Sequence, residues 1–136
     1  MGSKSSYGNT RKRILVVDDE PDFCSIIRCN LEKQGFDVDV AYDGDECLTK
    51  VKTNPPDAII LDIVMPEKDG HAVCKALKAD EKLSAIPIVM LTAAASPVTA
   101  TRYSHYDGTG MQADDYLPKP ASAEDITQSL KNLLKL

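Results

Sequence analysis

Uninterrupted apolar runs at residues 14–17 (Ile-Leu-Val-Val) and 58–61 (Ala-Ile-Ile-Leu) each stop against aspartate, and a third closes at Leu91 before Thr92. Runs of this length, β-branched and apolar on both alternating faces, predict strands of a parallel sheet buried on both sides. Residues 14–17, 58–61 and 86–91 are the strong strands, 37–41 is a weaker one and 116–117 a brief fifth. Between them the period changes. Phe23, Ile26, Ile27 and Leu31 follow helical spacing up to Gly35; Cys47, Leu48 and Val51 do so over 45–52, before Pro55-Pro56; Ala72, Val73, Ala76 and Leu77 mark a third helix. From 93 to 110 the signal blurs, and any helix there is short. A closing amphipathic helix over 123–136 carries Ile126, Leu130, Leu133 and Leu134 on one side, with Ser122 as its cap.

Strands and helices alternating through short loops predict right-handed crossovers. The expected fold is α/β: a doubly wound five-stranded parallel sheet with helices on both faces. In such sheets ligands bind beyond the carboxyl ends of the strands, where strand order reverses. The expected organisation is an N-terminal tag or disordered extension over residues 1–12, Gly-, Ser- and Lys-rich and without periodicity, and one domain over 13–136.

Composition narrows the chemistry. With 43% hydrophobic and 27% charged residues the chain can close a core, and its net charge of -5 argues against direct binding of nucleic-acid phosphates. No apolar run approaches a membrane span. Cys24, Cys29, Cys47 and Cys74 form no CxxC pair and read as reduced thiols of a cytoplasmic protein, small buried hydrophobes for the most part. Fifteen of the 21 acidic residues are aspartate, a poor helix-interior residue but a good cap, turn residue and hard-cation ligand.

The strand ends show where some of that aspartate goes. Asp18 and Asp19 follow the first strand, Asp62 the third, Thr92 the fourth and Lys119 the fifth. Two carboxylates about 4 Å apart repel by ~4 kcal/mol at an effective dielectric near 20, so three together would take up protons or need a cation. Oxygen ligands without thiolate or imidazole favour Mg2+ over zinc or iron. A carboxylate beside such a cation is a competent nucleophile toward phosphorus, and a hydroxyl and an ammonium are natural donors to phosphoryl oxygens.

Residues 14–20 (Ile-Leu-Val-Val-Asp-Asp-Glu), 61–66 (Leu-Asp-Ile-Val-Met-Pro) with Gly70, 91–93 (Leu-Thr-Ala) and 114–120 (Asp-Asp-Tyr-Leu-Pro-Lys-Pro) resemble, in this order, the receiver domain of bacterial two-component response regulators. The resemblance runs from Arg13 to Leu136 and implies a flavodoxin-like sheet of the receiver type. It implies that Asp62 is the phosphoacceptor, served by a sensor histidine kinase or a histidine phosphotransfer protein. Asp19 and Asp62 would ligate Mg2+ directly, Asp18 largely through water, and the backbone carbonyl of Val64 would complete the protein's share. Thr92 and Lys119 would bind the phosphoryl oxygens, Lys119-Pro120 would be a cis peptide, and Tyr116 would turn inward as Thr92 moves. Kinase specificity would lie mainly on the first helix, around Phe23 to Leu31. The implied protein is a switch and not a turnover enzyme; its output domain or downstream partner is unknown, and homodimerisation on phosphorylation is left open.

The chain departs from the family pattern in places. Lys119 lies 27 positions after Thr92, with the extra length in residues 96–112, where Tyr103, His105 and Tyr106 read as a solvated loop rather than a partner patch. Gln112 replaces a customary glycine and Ala121 a customary aromatic. Val64 and Ala94, two residues beyond Asp62 and Thr92, cannot position a hydrolytic water, which predicts slow loss of the phosphoryl group. His71 and His105 are isolated and carry no expected role. A Mg2+-dependent aspartyl-phosphate phosphohydrolase is the alternative enzyme, but it needs an acid/base carboxylate where Val64 stands. A flavin-binding protein lacks its phosphate loop here, because Asp18-Asp19-Glu20 would repel phosphate. A phosphorylation-independent receiver scaffold would carry an incomplete acidic site.

Overall fold

A computed structural model describes residues 11–62, 70–92, 113–118 and 121–136 of the chain. In order they form β1 (Arg13–Val17), α1 (Pro21–Lys33), β2 (Asp37–Ala41), α2 (Gly44–Thr53), β3 (Ala58–Asp62), α3 (Gly70–Ala79), β4 (Ile88–Thr92), β5 (Asp115–Pro118) and α4 (Ala123–Leu134). The strands make one sheet in the order β2-β1-β3-β4-β5, with every pairing parallel. Strand order reverses between β1 and β3, which fixes the crevice for a ligand at the carboxyl ends of those two strands.

Alternation along the central strands sorts the core into two layers. Leu15, Val17, Ile59, Leu61, Ile88 and Met90 face one side of the sheet, where α2 and α3 supply Cys47, Val51, Val73 and Leu77. Ile14, Val16, Ile60, Val89 and Leu91 face the other, against Ile27 and Leu31 of α1 and Ile126 and Leu130 of α4. All residues of β3 and β4 are buried, as strands covered on both faces must be.

Local signals explain the helix ends. Asp43 accepts from the Glu46 backbone N–H at 2.7 Å while the Glu46 carboxylate accepts from the Tyr42 N–H at 2.7 Å, so orphan donors at the start of α2 are satisfied from both directions. Ser122 caps α4 by accepting from Asp125 N–H at 3.0 Å. Gly35, at φ 96, takes the left-handed turn that ends the α1 segment, a conformation in which a Cβ is strained.

Several details differ from the periodicity. Ile26, on the expected buried face of α1, is 59% exposed, because the sheet is met by Cys24, Ile27 and Leu31. On α3 the buried face runs through Val73, Cys74 and Leu77 and leaves Ala72 and Ala76 outside; the larger side chains gain most from burial. Strand β4 starts at Ile88 rather than residue 86, since Pro87 has no N–H to donate to the ladder. Cys24, Cys47 and Cys74 are buried, whereas Cys29 is exposed, and all four are free thiols. Burial, reinforced by Asp43 and Glu46 nearby, pushes the Cys47 thiol up to about 12. Of the expected N-terminal extension, residues 1–10 lie outside the described residues. Lys12 belongs with the sheet, its carbonyl accepting from Asp37 N–H at 2.9 Å. The segment 96–112 with its blurred helix, and His71 as a side chain, also lie outside them.

Candidate functional site

Strands β1 and β3 run side by side, Val17 level with Leu61, so the residues that follow them emerge together on the carboxyl edge. One carboxylate oxygen from each of Asp18, Asp19 and Asp62 lies within 4.8 Å of the other two. Asp18 and Asp62 are buried and Asp19 is exposed, so the cluster reaches solvent on the Asp19 side. Asp18 is held in place locally: its N–H donates to Ala41 O at 3.1 Å, its Oδ1 accepts from Glu20 N–H at 3.0 Å, and its carbonyl accepts from the Cys24 thiol at 3.4 Å. These bonds fix Asp18 between the end of β1 and the start of α1, where its carboxylate meets that of Asp62.

The set suits a hard divalent cation. All three donors are carboxylate oxygens, with no thiolate or imidazole in the group, and gathering three negative charges this closely is costly in the absence of a positive partner. The exposure of Asp19 leaves the cluster accessible to water, which suits a partly hydrated ion.

Thr92 ends β4 beside β3, with Asp62 level with Leu91. The Thr92 side chain is buried, and its hydroxyl donates to Leu117 O on β5 at 3.4 Å. Tyr116 on β5 is half-buried, packed against the core layer of Met90 and Leu77, and its phenol oxygen accepts from Ala113 N–H at 3.1 Å. The structure therefore brings Asp18, Asp19 and Asp62 together and places Thr92 one strand away. Lys119, the Lys119-Pro120 peptide, Val64 and Ala94 lie outside the described residues.

Comparison with known proteins decides the family. The model of the response regulator receiver domain matches residues 14–131. The chain belongs to the response regulator receiver family. It is 40% identical over 124 residues to the alkaline phosphatase synthesis transcriptional regulatory protein PhoP of Bacillus subtilis, covering 91% of this chain and 49% of that protein. It is 37% identical over 123 residues to the DNA-binding dual master transcriptional regulator RpaA of Synechocystis, covering 90% and 49%. The receiver thus spans about half the length of these two relatives. Among solved structures it resembles the signal receiver domain of a histidine kinase from Syntrophus aciditrophicus, with TM-score 0.81, 31% identity and coverage of 91% and 90%. The chemotaxis response regulator CheY4 of Vibrio cholerae matches with TM-score 0.79, 29% identity and coverage of 91% and 99%.

The receiver holds features that patterning did not reveal. The thiol bond from Cys24 to Asp18 and the amide bond from Ala113 to Tyr116 depend on tertiary placement, and neither has a sequence signal. An apolar groove lined by Phe23, Ile26, Ile27, Ala121 and Ala123 opens beside Glu20, next to the acidic cluster. The spacing places Ile26 on the buried face of α1, so this groove has no sign in the sequence.

Proposed function

We propose that Asp62 is the phosphoacceptor of this receiver and that Asp18, Asp19 and Asp62, with the Val64 carbonyl, hold Mg2+. The convergence of three carboxylates within 4.8 Å at the reversal of strand order carries this reading. A carboxylate oxygen of Asp62 attacks the phosphorus of a phosphohistidine on a sensor kinase or phosphotransfer protein; the O–P bond forms, the P–N bond breaks, and its electron pair returns to the donor imidazole. Bound Mg2+ offsets the negative charge of the incoming group. Asp18 and Asp19 supply ligands to it and leave the nucleophile to Asp62. Thr92 and Lys119 donate to phosphoryl oxygens, and Tyr116 follows Thr92 inward.

Phosphorylation adds nearly two negative charges, so the groups that gain most from it are hydrogen-bond donors on neighbouring strand ends. A shift from mostly off to mostly on needs a differential of ~5 kcal/mol, and two charge-assisted hydrogen bonds of roughly 1.5 to 3 kcal/mol each supply much of it. The groove beside Glu20 is the docking place this reading gives to the phosphohistidine partner. Residues 13–136 then act as one cytoplasmic signalling domain without catalytic turnover on a separate substrate, controlling an output domain or partner and not touching nucleic acid itself. Among the described residues no helix is long and apolar enough to cross a membrane. The test is intact mass after incubation with acetyl phosphate and Mg2+. One phosphoryl group is expected on the wild type and none on Asp62→Asn or with EDTA. Continuous phosphate release over many turnovers would point to a hydrolase instead.

A further inference from the structure

Among the described strands, β2 pairs on one side only, with β1. Its backbone groups alternate. Asp37 N–H donates to Lys12 O at 2.9 Å and Ala41 O accepts from Asp18 N–H at 3.1 Å, so Asp37, Asp39 and Ala41 turn toward β1 while Val38 and Val40 turn their N–H and C=O outward. An outward row of this kind is a template for a further strand. Beside it lies a cavity of about 250 Å³ lined by Val38, Lys50, Thr53 and Pro56, with room for a side chain of an added strand. The outward groups of Val40, however, are already taken by side chains. Asp39 Oδ1 accepts from Val40 N–H at 2.8 Å, and the Lys50 ammonium donates to Val40 O. The two side chains also hold each other, Lys50 Nζ to Asp39 Oδ1 at 3.1 Å. A surface ion pair contributes little to stability, yet this one covers both outward groups of an open strand.

We propose that the Asp39–Lys50 pair is an edge guard, which keeps β2 from pairing with β2 of a second copy of this chain. A second copy is the partner the strand itself fits. In an antiparallel pair centred on Asp39, Val38 of each copy faces Val40 of the other, and every outward N–H and C=O of these residues finds a partner. The same register sets Asp39 directly opposite the Asp39 of the other copy, with Cα atoms roughly 4.5 Å apart, where like charges oppose pairing. Asp39 thus acts twice, as the acceptor that occupies Val40 N–H and as the charge that repels its own copy. Lys50 acts on the carbonyl, which an incoming strand must take from it. The guard belongs to the backbone of β2 and is independent of the phosphoacceptor reading of Asp62.

The test is Asp39→Val combined with Lys50→Met in the full, unphosphorylated chain, which removes both guarding groups and keeps apolar bulk in their place. In sedimentation across a concentration series the double variant should self-associate at least about tenfold more tightly than the wild type. Val38→Pro added to it should restore wild-type sedimentation, because proline removes an outward N–H and no bond to β1. Amide exchange of 15N-labelled protein at Val40 is the second readout. In dilute double variant Val40 should exchange about fivefold faster than in the wild type, the size of one lost hydrogen bond, and it should slow again as concentration rises and the strands pair. Association no tighter than that of the wild type overturns the guard, as does a dimer that survives Val38→Pro. Should the proline variant fail to fold, Val40 decides alone: exchange indifferent to concentration in a self-associating double variant places the contact elsewhere and overturns the guard.

Discussion

The two edges of this sheet use charge in opposite ways. At the amino edge, unlike charges and dipoles are joined. The Arg13 guanidinium binds Asn54 Oδ1 at 3.1 Å and Pro55 O at 2.9 Å, and the Arg13 N–H binds Asp57 at 2.8 Å. Lys78 binds the carbonyls of Ser84 and Ile86 and the Asp114 carboxylate at 3.0 to 3.1 Å. At the carboxyl edge, the same β1 and β3 strands gather Asp18, Asp19 and Asp62 within 4.8 Å. The first arrangement ties loops to strand ends; the second gathers like charges in a set that a divalent cation would suit. A receiver keeps its edge for chemistry at some cost in stability and secures the opposite edge with paired charges.

That contrast makes predictions of opposite sign. Asp114→Ala should cost about 2 kcal/mol in denaturant unfolding, because it strips a charge-assisted bond from Lys78 and leaves the Ile88 N–H without its acceptor. A loss under about 0.5 kcal/mol would mean that the amino edge is not the tied one. Asp62→Asn should instead gain about 1 kcal/mol in EDTA, since it removes one of three crowded charges. In millimolar Mg2+ the order should narrow or reverse, with the wild type rising and the variant rising less. Destabilisation in EDTA, or equal Mg2+ shifts for both proteins, would break the comparison.

The smallest effect belongs to the exposed pair on edge strand β2. Burial pulls Asp39 upward, but the Val40 N–H and the Lys50 ammonium at 3.1 Å outweigh it and hold its carboxyl below 3.8. Burial pulls Lys50 downward, and Asp39 and Glu46 outweigh it and hold the ammonium above 10.5. Asp39 is depressed, so its contribution is whole above 3.8 and fades as pH falls through the lower folded value. Lys50 is raised, so its contribution is whole below 10.5 and fades as pH rises through the higher folded value. Asp39 is exposed and Lys50 partly so, and solvent screening limits the pair to a few tenths of a kcal/mol. Asp39→Asn should show that small deficit in urea at pH 7 and none at pH 2. A deficit constant across the range would assign it to something other than the ion pair.

Much of the fold was legible because burial on both faces leaves continuous apolar runs, and Ile14 to Val17 or Ala58 to Leu61 can hardly be read otherwise. Element ends were harder. Pro87 shortened β4 through a missing donor, and the buried face of α3 turned toward Cys74, which weighs little in a hydrophobic pattern. At the site, Asp18, Asp19 and Asp62 stood out because strand ends in a parallel sheet share one edge, so sequence position converts directly to space. The bonds of Cys24 and Ala113 were invisible, since each joins a backbone group to a side chain whose orientation only packing decides. Lys119, Val64 and Ala94 lie outside the described residues.

The most direct measurement is the position of the phosphoryl group itself. After phosphorylation with acetyl phosphate and Mg2+, borohydride reduction converts an aspartyl phosphate to homoserine, which peptide fragmentation locates to a single residue. Homoserine at position 62, and at no other aspartate, is the predicted result. Homoserine at Asp18, Asp19 or elsewhere, or a phosphoryl group on a side chain that borohydride leaves untouched, would contradict the account.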